Sequence, residues 1–274
     1  MRVHGCIDAG TGLGHDGHAC WAFDDRREFV DAALEFLEDG LRSGQRLAYV
    51  GSEPVAEQRE RLDPLGDVGE MIDSGTLQLF ELSDLYRIGE PIDADTQLAA
   101  YLAATDAAFA DGYSGLRVAA QVTDLVAEPE TRDAHVRWES TADRVLSARS
   151  LSALCGYERA ALPPQLLADL AAIHPAANSC AGPAPFHLFG DDGGLALTGE
   201  VDLFSSETFD RALGFACSDS EPVSLDLGEL DFIDHRGVEV LAAHTSRPAG
   251  EGGCTVKHEP HVVSRLCEIL ELQL

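Results

Sequence analysis

Lysine is almost missing from this chain: of 274 residues only Lys257 is a lysine, and every other cationic side chain at neutral pH is an arginine. Positive charge of any kind is scarce, with 19 Lys and Arg against 48 Asp and Glu and a formal net charge of −29. Phosphate contacts need clusters of Lys and Arg, so this balance argues against a nucleic-acid-binding face. It argues equally against docking on anionic lipid. Excess acid by itself gives solubility. Long apolar runs are also missing, so neither a membrane span nor a signal peptide is expected. The seven cysteines, Cys6, Cys20, Cys155, Cys180, Cys217, Cys254 and Cys267, are scattered and never form a C-x-x-C pair. Free thiols in a reducing cytoplasm are the simplest expectation. Two catalytic signatures are lacking as well: a G-x-S-x-G elbow and a phosphate-cradling G-x-x-x-x-G-K-[ST] loop.

What is present is alternation. The length exceeds the usual ~100–200 residues of one domain, so two domains are expected. Residues 1–17 are Gly-rich without periodicity and read as a loose tail. Within them, residues 12–17 match G-x-G-x-x-G only formally, because the following HACWAF (18–23) reads as a strand rather than a helix. From His18 onward strands alternate with helices. Asp25 opens a helix with Glu28 as a capping-box partner, and Phe29, Ala33, Phe36, Leu37 and Leu41 recur at helical spacing. RLAYVG (46–51), LQLFEL (77–82), LRVAAQV (116–122) and LSALCGY (151–157) read as strands. Helices are expected at 54–62, 96–111 and 130–146, and again after Pro163-Pro164 up to His174-Pro175. Such alternation implies a largely parallel sheet with helices on both faces. The small, Pro-containing residues 176–185 read as a linker.

The first domain, residues 18–175, resembles the MEDS sensory domain, a RecA-like module of bacterial and archaeal regulators. The resemblance is carried by HACWAF, by EFVDAALEFLEDGLRSGQRLAYVG (28–51), by LRVAAQVTDL (116–125) and by LCGYERAALPPQLLADLAAIHP (154–175). It implies sensing rather than turnover, with small hydrocarbon derivatives as the proposed ligand class. RecA-like folds often hydrolyse ATP, but this domain contains no lysine to reach β/γ-phosphates. Asp124, at the end of an apolar strand, therefore reads as a turn residue. His18 and Cys20 share one strand face, as do Cys155 and Tyr157, and His174 closes the last helix. If strand ends converge at a switch point, His18, Cys20, Cys155, Tyr157 and His174 line one crevice. The bland alternative is that buried cysteine acts as a small hydrophobe, so neither a metal nor a cofactor is expected. Trp21, Trp138 and Tyr101 read as core fillers.

Residues 186–274 resemble the STAS family of anti-anti-sigma factors and sulphate-transporter tails. LALTGEVDLFSSETFDRAL (195–213) matches the family's strand, Gly-Glu turn and first long helix. LDLGELDFIDHRGVEVL (225–241) matches its strand, bend and second helix, with Asp234 as the helix cap. CTVKHE (254–259) and HVVSRLCEILEL (261–272) match a late strand and a closing helix. In signalling members a Ser or Thr that accepts phosphate follows the loop Asp; here His235 stands in that place, followed by Arg236. The resemblance implies a partner face at Asp234, His235, Arg236, Gly237 and Glu239, engaging an anti-sigma factor or a related kinase-like protein. The plain alternative makes His235 a tolerated surface residue. Asp191-Asp192 with Gly193-Gly194 reads as a hairpin turn.

The sequence therefore leads to an α/β, RecA-like, mostly parallel sheet followed by a small α/β STAS domain. The expected role is a cytoplasmic signalling regulator, like an anti-sigma factor antagonist, that binds rather than catalyses. Alternatives are a RecA-like nucleotide-binding enzyme, a metal or redox sensor, and a scaffold.

Overall fold

The computed structural model describes residues 2–181, 184–217, 222–247 and 252–274. Its first part runs β1 (Gly5–Ile7), β2 (His18–Phe23), α1 (Arg26–Arg42), β3 (Arg46–Gly51), α2 (Val55–Arg61) and α3 (Val68–Asp73). It continues through β4 (Leu77–Glu81), α4 (Leu82–Leu85), α5 (Ala94–Ala110), β5 (Leu116–Gln121), α6 (Pro129–Leu146), β6 (Leu151–Glu158), α7 (Pro164–Ile173) and β7 (Ala176–Asn178). The strands form one sheet in the order β1-β7-β2-β6-β5-β3-β4, and every neighbouring pair is parallel. Helical crossovers cover both faces of such a sheet, which is why β3 and β5 are buried along their whole length.

The helices begin where local chemistry allows. Asp25 caps α1 by accepting from the Arg27 N–H, and Glu28 accepts from the Asp24 N–H. The face at Phe29, Ala33, Phe36 and Leu37 is buried against the sheet, whereas Leu41, expected inward, is half exposed. Pro164 occupies the first turn of α7, where its missing N–H costs nothing.

Two expected boundaries are corrected. The loose tail expected at residues 1–17 is tied down: β1 joins the edge of the sheet beside β7, and Leu13 is buried. The linker expected at 176–185 begins with a sheet strand, β7, pairing with β1 and β2. The rest of that stretch includes residues 182–183 and the Cys180 side chain, which lie outside what the structure describes.

A second, smaller α/β region follows, with β8 (Phe186–Asp191), β9 (Gly194–Val201), α8 (Ser206–Ala216), β10 (Val223–Asp226), β11 (Leu230–Ile233), α9 (His235–Thr245), β12 (Cys254–Lys257) and α10 (His261–Leu270). β8 and β9 are an antiparallel hairpin turning at Asp192-Gly193, and β10, β11 and β12 add in parallel. The stretch before the Asp234 bend is two short strands rather than one, because the chain turns at Gly228-Glu229. The two regions are packed together. One apolar cluster runs from Leu170 and Ile173 of α7 to Phe186, Phe209 and Leu213 of the second region. At its rim the Arg211 guanidinium donates to Asp169 at 3.0–3.1 Å. No helix of the described residues is long and apolar enough to cross a membrane.

Candidate functional site

The register of the first sheet sets His18 opposite Ala153, Cys20 opposite Cys155 and Ala22 opposite Tyr157. Side chains two apart share a face, so His18 and Cys20 on β2 and Cys155 and Tyr157 on β6 lie under the same cover. That cover is α6, whose His135, Glu139 and Asp143 fall four residues apart and so form one stripe. All three are buried. His174, at the end of α7, closes the group.

The contacts are close. Glu139 turns one carboxylate oxygen to His135 Nε2 at 3.1 Å and to the Tyr157 hydroxyl, which donates at 3.2 Å. Its other oxygen lies 3.3 Å from His18 Nε2, 3.6 Å from His174 Nε2 and 3.7 Å from Cys155 Sγ. His18 Nε2 is 3.4 Å from the same sulfur. On the far side of two of the imidazoles an acceptor fixes the ring, whereas His135 Nδ1 is buried without a hydrogen-bond partner among the described residues. His18 Nδ1 donates to Asp143 at 2.9 Å, and His174 Nδ1 donates to the Leu170 carbonyl at 2.7 Å. A carbonyl can only accept, so the proton of His174 is on Nδ1. Its Nε2 is buried, points into the group and has no hydrogen-bond partner among the described residues.

Burying these charges is unfavourable unless each meets an opposite. Burial raises the Glu139 carboxyl, but the hydrogen bonds and charges of His135, His18 and His174 outweigh it and hold the group well below the usual carboxylate range. Burial lowers His18, and Cys155, Asp143 and Glu139 together reverse this and raise it well above its ordinary value. His174, losing to burial and to the charge of His18, falls to about 3 and is neutral. Burial and Glu139 push the Cys155 thiol up to about 11. Asp143 is raised by burial but held low by the Arg2 guanidinium and His18.

Beside this polar group lies a small cavity of about 40 Å³, lined by Tyr86, Tyr101, Val118, Val122 and Trp138 together with His18, Glu139 and Cys155. Tyr101 and Trp138 stack at 5.9 Å between centroids, and the Tyr86 and Tyr101 hydroxyls meet at 2.9 Å. Tyr101 and Trp138, expected only to fill the core, wall the cavity; Trp21 packs on the opposite side of the sheet.

Two members of the group reach the second region. Asp143 accepts from the Gly190 N–H of β8 at 2.6 Å and from Arg2 Nη1 at 2.9 Å. A Cβ at Gly190 would lie 2.4 Å from the Arg144 Cα, so only glycine lets β8 approach α6 this closely. The His174 carbonyl accepts from His187 Nδ1 of β8 at 2.9 Å.

Sequence reasoning named His18, Cys20, Cys155, Tyr157 and His174, and the structure brings all five to one face. They lie beneath α6 on the sheet face, with His18 at the amino end of its strand, rather than in a crevice where strand ends converge. Glu139, His135, Asp143 and Arg2 were missed. The signal that could have found the first three is the polar stripe His135-Glu139-Asp143 within an otherwise amphipathic helix. The Gly12–Gly17 segment is followed by β2, not by a helix, and so lacks the frame of a dinucleotide loop. Asp124 is an exposed residue of a turn after β5.

The model of the family described as MEDS, the methanogen/methylotroph, DcmR sensory domain, matches residues 17–175. The chain belongs to the MEDS family. The crystal structure of flagellar accessory protein FlaH from Methanocaldococcus jannaschii is similar at a TM-score of 0.38 and 15% identity, covering 68% of this chain and 77% of that one. No curated protein matches the chain. The whole cluster except Arg2 lies inside the MEDS module.

In the second region Asp234 caps α9, accepting from the Arg236 and Gly237 N–H groups at 2.8 and 3.1 Å. His235 and Arg236 are exposed, and Arg236 pairs with Glu239. Gly237 cannot offer a contact to a partner: it is buried, and a Cβ there would meet Ile233 at 2.5 Å. Val201 and Ile233 end neighbouring strands, so the loop after β9 emerges beside this tip. That loop carries Leu203 and Phe204, the latter 91% exposed, and Phe232 is exposed nearby on β11.

Proposed function

We propose that this chain is a signalling regulator in which the MEDS module binds a small organic ligand and the second region docks a partner protein. The cavity suits a very small, mostly apolar molecule with one polar group: its walls are aromatic and aliphatic, with His18, Glu139 and Cys155 among them. The observation that carries the reading is the pair of bridges from the cluster to β8, Asp143 to Gly190 and His174 to His187. Any ligand that displaces Glu139 or His18 has a mechanical route into the second region.

The second region acts in this reading as a STAS-like, anti-sigma factor antagonist module. Its small sheet backed by helices, the capped tip of α9 and the exposed apolar Leu203, Phe204 and Phe232 beside it support a docking face for an anti-sigma factor or a related kinase-like protein. With His235 in place of a hydroxylated residue, the tip binds without accepting phosphate as serine does. Activity is binding, not turnover.

The test is hydrogen exchange on the full chain with a panel of short alcohols and halocarbons. Binding should change protection in β8 and at the α9 tip. A compound that binds the cavity and leaves both unchanged would remove the coupling. Partner docking is tested separately with anti-sigma kinases and ATP: complex formation weakened by Phe204→Ser, with no phosphate on the chain, is expected. Stoichiometric phosphorylation would contradict the reading of His235.

A further inference from the structure

We propose that His18, Glu139, Cys155 and His174 form a four-coordinate site for a divalent transition-metal ion, with zinc the best match. Their ligand atoms, His18 Nε2, His174 Nε2, Cys155 Sγ and one Glu139 oxygen, all lie within 4.8 Å of one another, and all four residues are buried. A tetrahedral zinc with bonds of about 2.0–2.1 Å to nitrogen and oxygen and about 2.3 Å to sulfur requires edges of about 3.3 Å between light atoms and about 3.6 Å to the sulfur. Four of the six edges are 3.3 and 3.6 Å from Glu139 to the two imidazoles, and 3.4 and 3.7 Å from Cys155 to His18 and Glu139. The other two, from His174 Nε2 to His18 Nε2 and to Cys155 Sγ, are within 4.8 Å, so four edges already stand near the coordinating spacing.

A second observation is independent of these distances. His174 Nε2 is a buried nitrogen with no hydrogen-bond partner among the described residues, and Leu170 fixes its ring so that a bare lone pair faces the group. A buried polar atom left unpaired is destabilising, and a metal would satisfy it. The outer contacts are those of metal sites: a carboxylate, Asp143, on one histidine and a backbone carbonyl on the other, with His135 and Tyr157 holding the second Glu139 oxygen. The mixture of thiolate, imidazole and carboxylate suits zinc better than magnesium or calcium.

On coordination the Cys155 Sγ–H proton leaves for solvent and the thiolate binds the ion, while His18 and His174 present Nε2 with their Nδ1 atoms held by Asp143 and the Leu170 carbonyl. The ion would tie α6 and the residue that ends α7 to β2 and β6.

The proposal rests on the same cluster as the sensory reading, and the test uses metal with no organic ligand so that the two can fail apart. The full chain, stripped of metal, is titrated with Zn2+ against a chromophoric chelator and with Co2+ in the visible and near ultraviolet. One equivalent of each is expected, with a thiolate-to-cobalt charge-transfer band. Cys155→Ser should abolish that band, and Asp143→Asn should weaken zinc about 10–100-fold. Arg159→Ala should keep the metal, because its exposed pair with Asp24 lies outside the cluster and the cavity. Should Cys155→Ser fail to fold, the wild-type cobalt spectrum decides alone. No zinc uptake, or uptake without a sulfur band, overturns the proposal whatever the organic-ligand result; a bound metal with no coupling to β8 overturns only the sensory reading.

Discussion

Asp143 and Asp234 are both aspartates that hold backbone N–H groups, and they sit in opposite surroundings. Asp143 is buried and receives Arg2, His18 and the Gly190 N–H. Asp234 is half exposed and receives only the first amides of α9. In the interior a charge is stable only as part of a complete set, so each partner depends on the others. At the surface water replaces whatever is lost. The MEDS module thus holds Asp143 where it is costly to leave unpaired, whereas the second region holds Asp234 where solvent reaches it.

Substitutions can break or sharpen that contrast. Asp143→Ala should have the largest effect, because Arg2 would remain buried without its counter-charge and His18 would keep only Glu139. A loss of about 3–5 kcal/mol is expected, measured by urea unfolding of the full chain. Gly190→Ala should cost about 1–3 kcal/mol, because its new methyl meets α6 backbone that cannot rotate away. In a hydrogen-exchange experiment its effect should extend to both regions. Asp234→Ala should cost about 1 kcal/mol, the loss of one helix cap, with the MEDS module's exchange unchanged. Arg236→Ala should stay within about 0.5 kcal/mol, since its pair with Glu239 is exposed. An Asp234→Ala loss as large as that of Asp143→Ala would erase the distinction.

Much of this arrangement was legible before any coordinates. Alternating apolar strands and capped helices point to a parallel α/β sheet because period and punctuation are local properties, visible at Asp25, Pro164 and Asp234. Strand periodicity paired His18 with Cys20 and Cys155 with Tyr157, but bringing them together with His174 at the end of a helix needed the further expectation that strand ends converge. Glu139 and Asp143 were not legible, because an acidic residue on a helix usually faces water, and only tertiary packing turns that stripe of α6 inward. The role of residues 1–17 was hidden for a similar reason. β1 has three residues and no alternation to read, and Arg2 finds Asp143 across 141 positions of sequence. Gly237, read as part of a contact face, is instead the point where α9 rests on Ile233, a fact that depends on how closely helix and sheet approach.

X-ray absorption at the zinc edge, on the full chain loaded with one equivalent of zinc, addresses the buried cluster most directly. The account predicts a first shell of one sulfur at about 2.3 Å and three nitrogen or oxygen atoms at about 2.0–2.1 Å. A shell without sulfur, or with six light atoms, would contradict it.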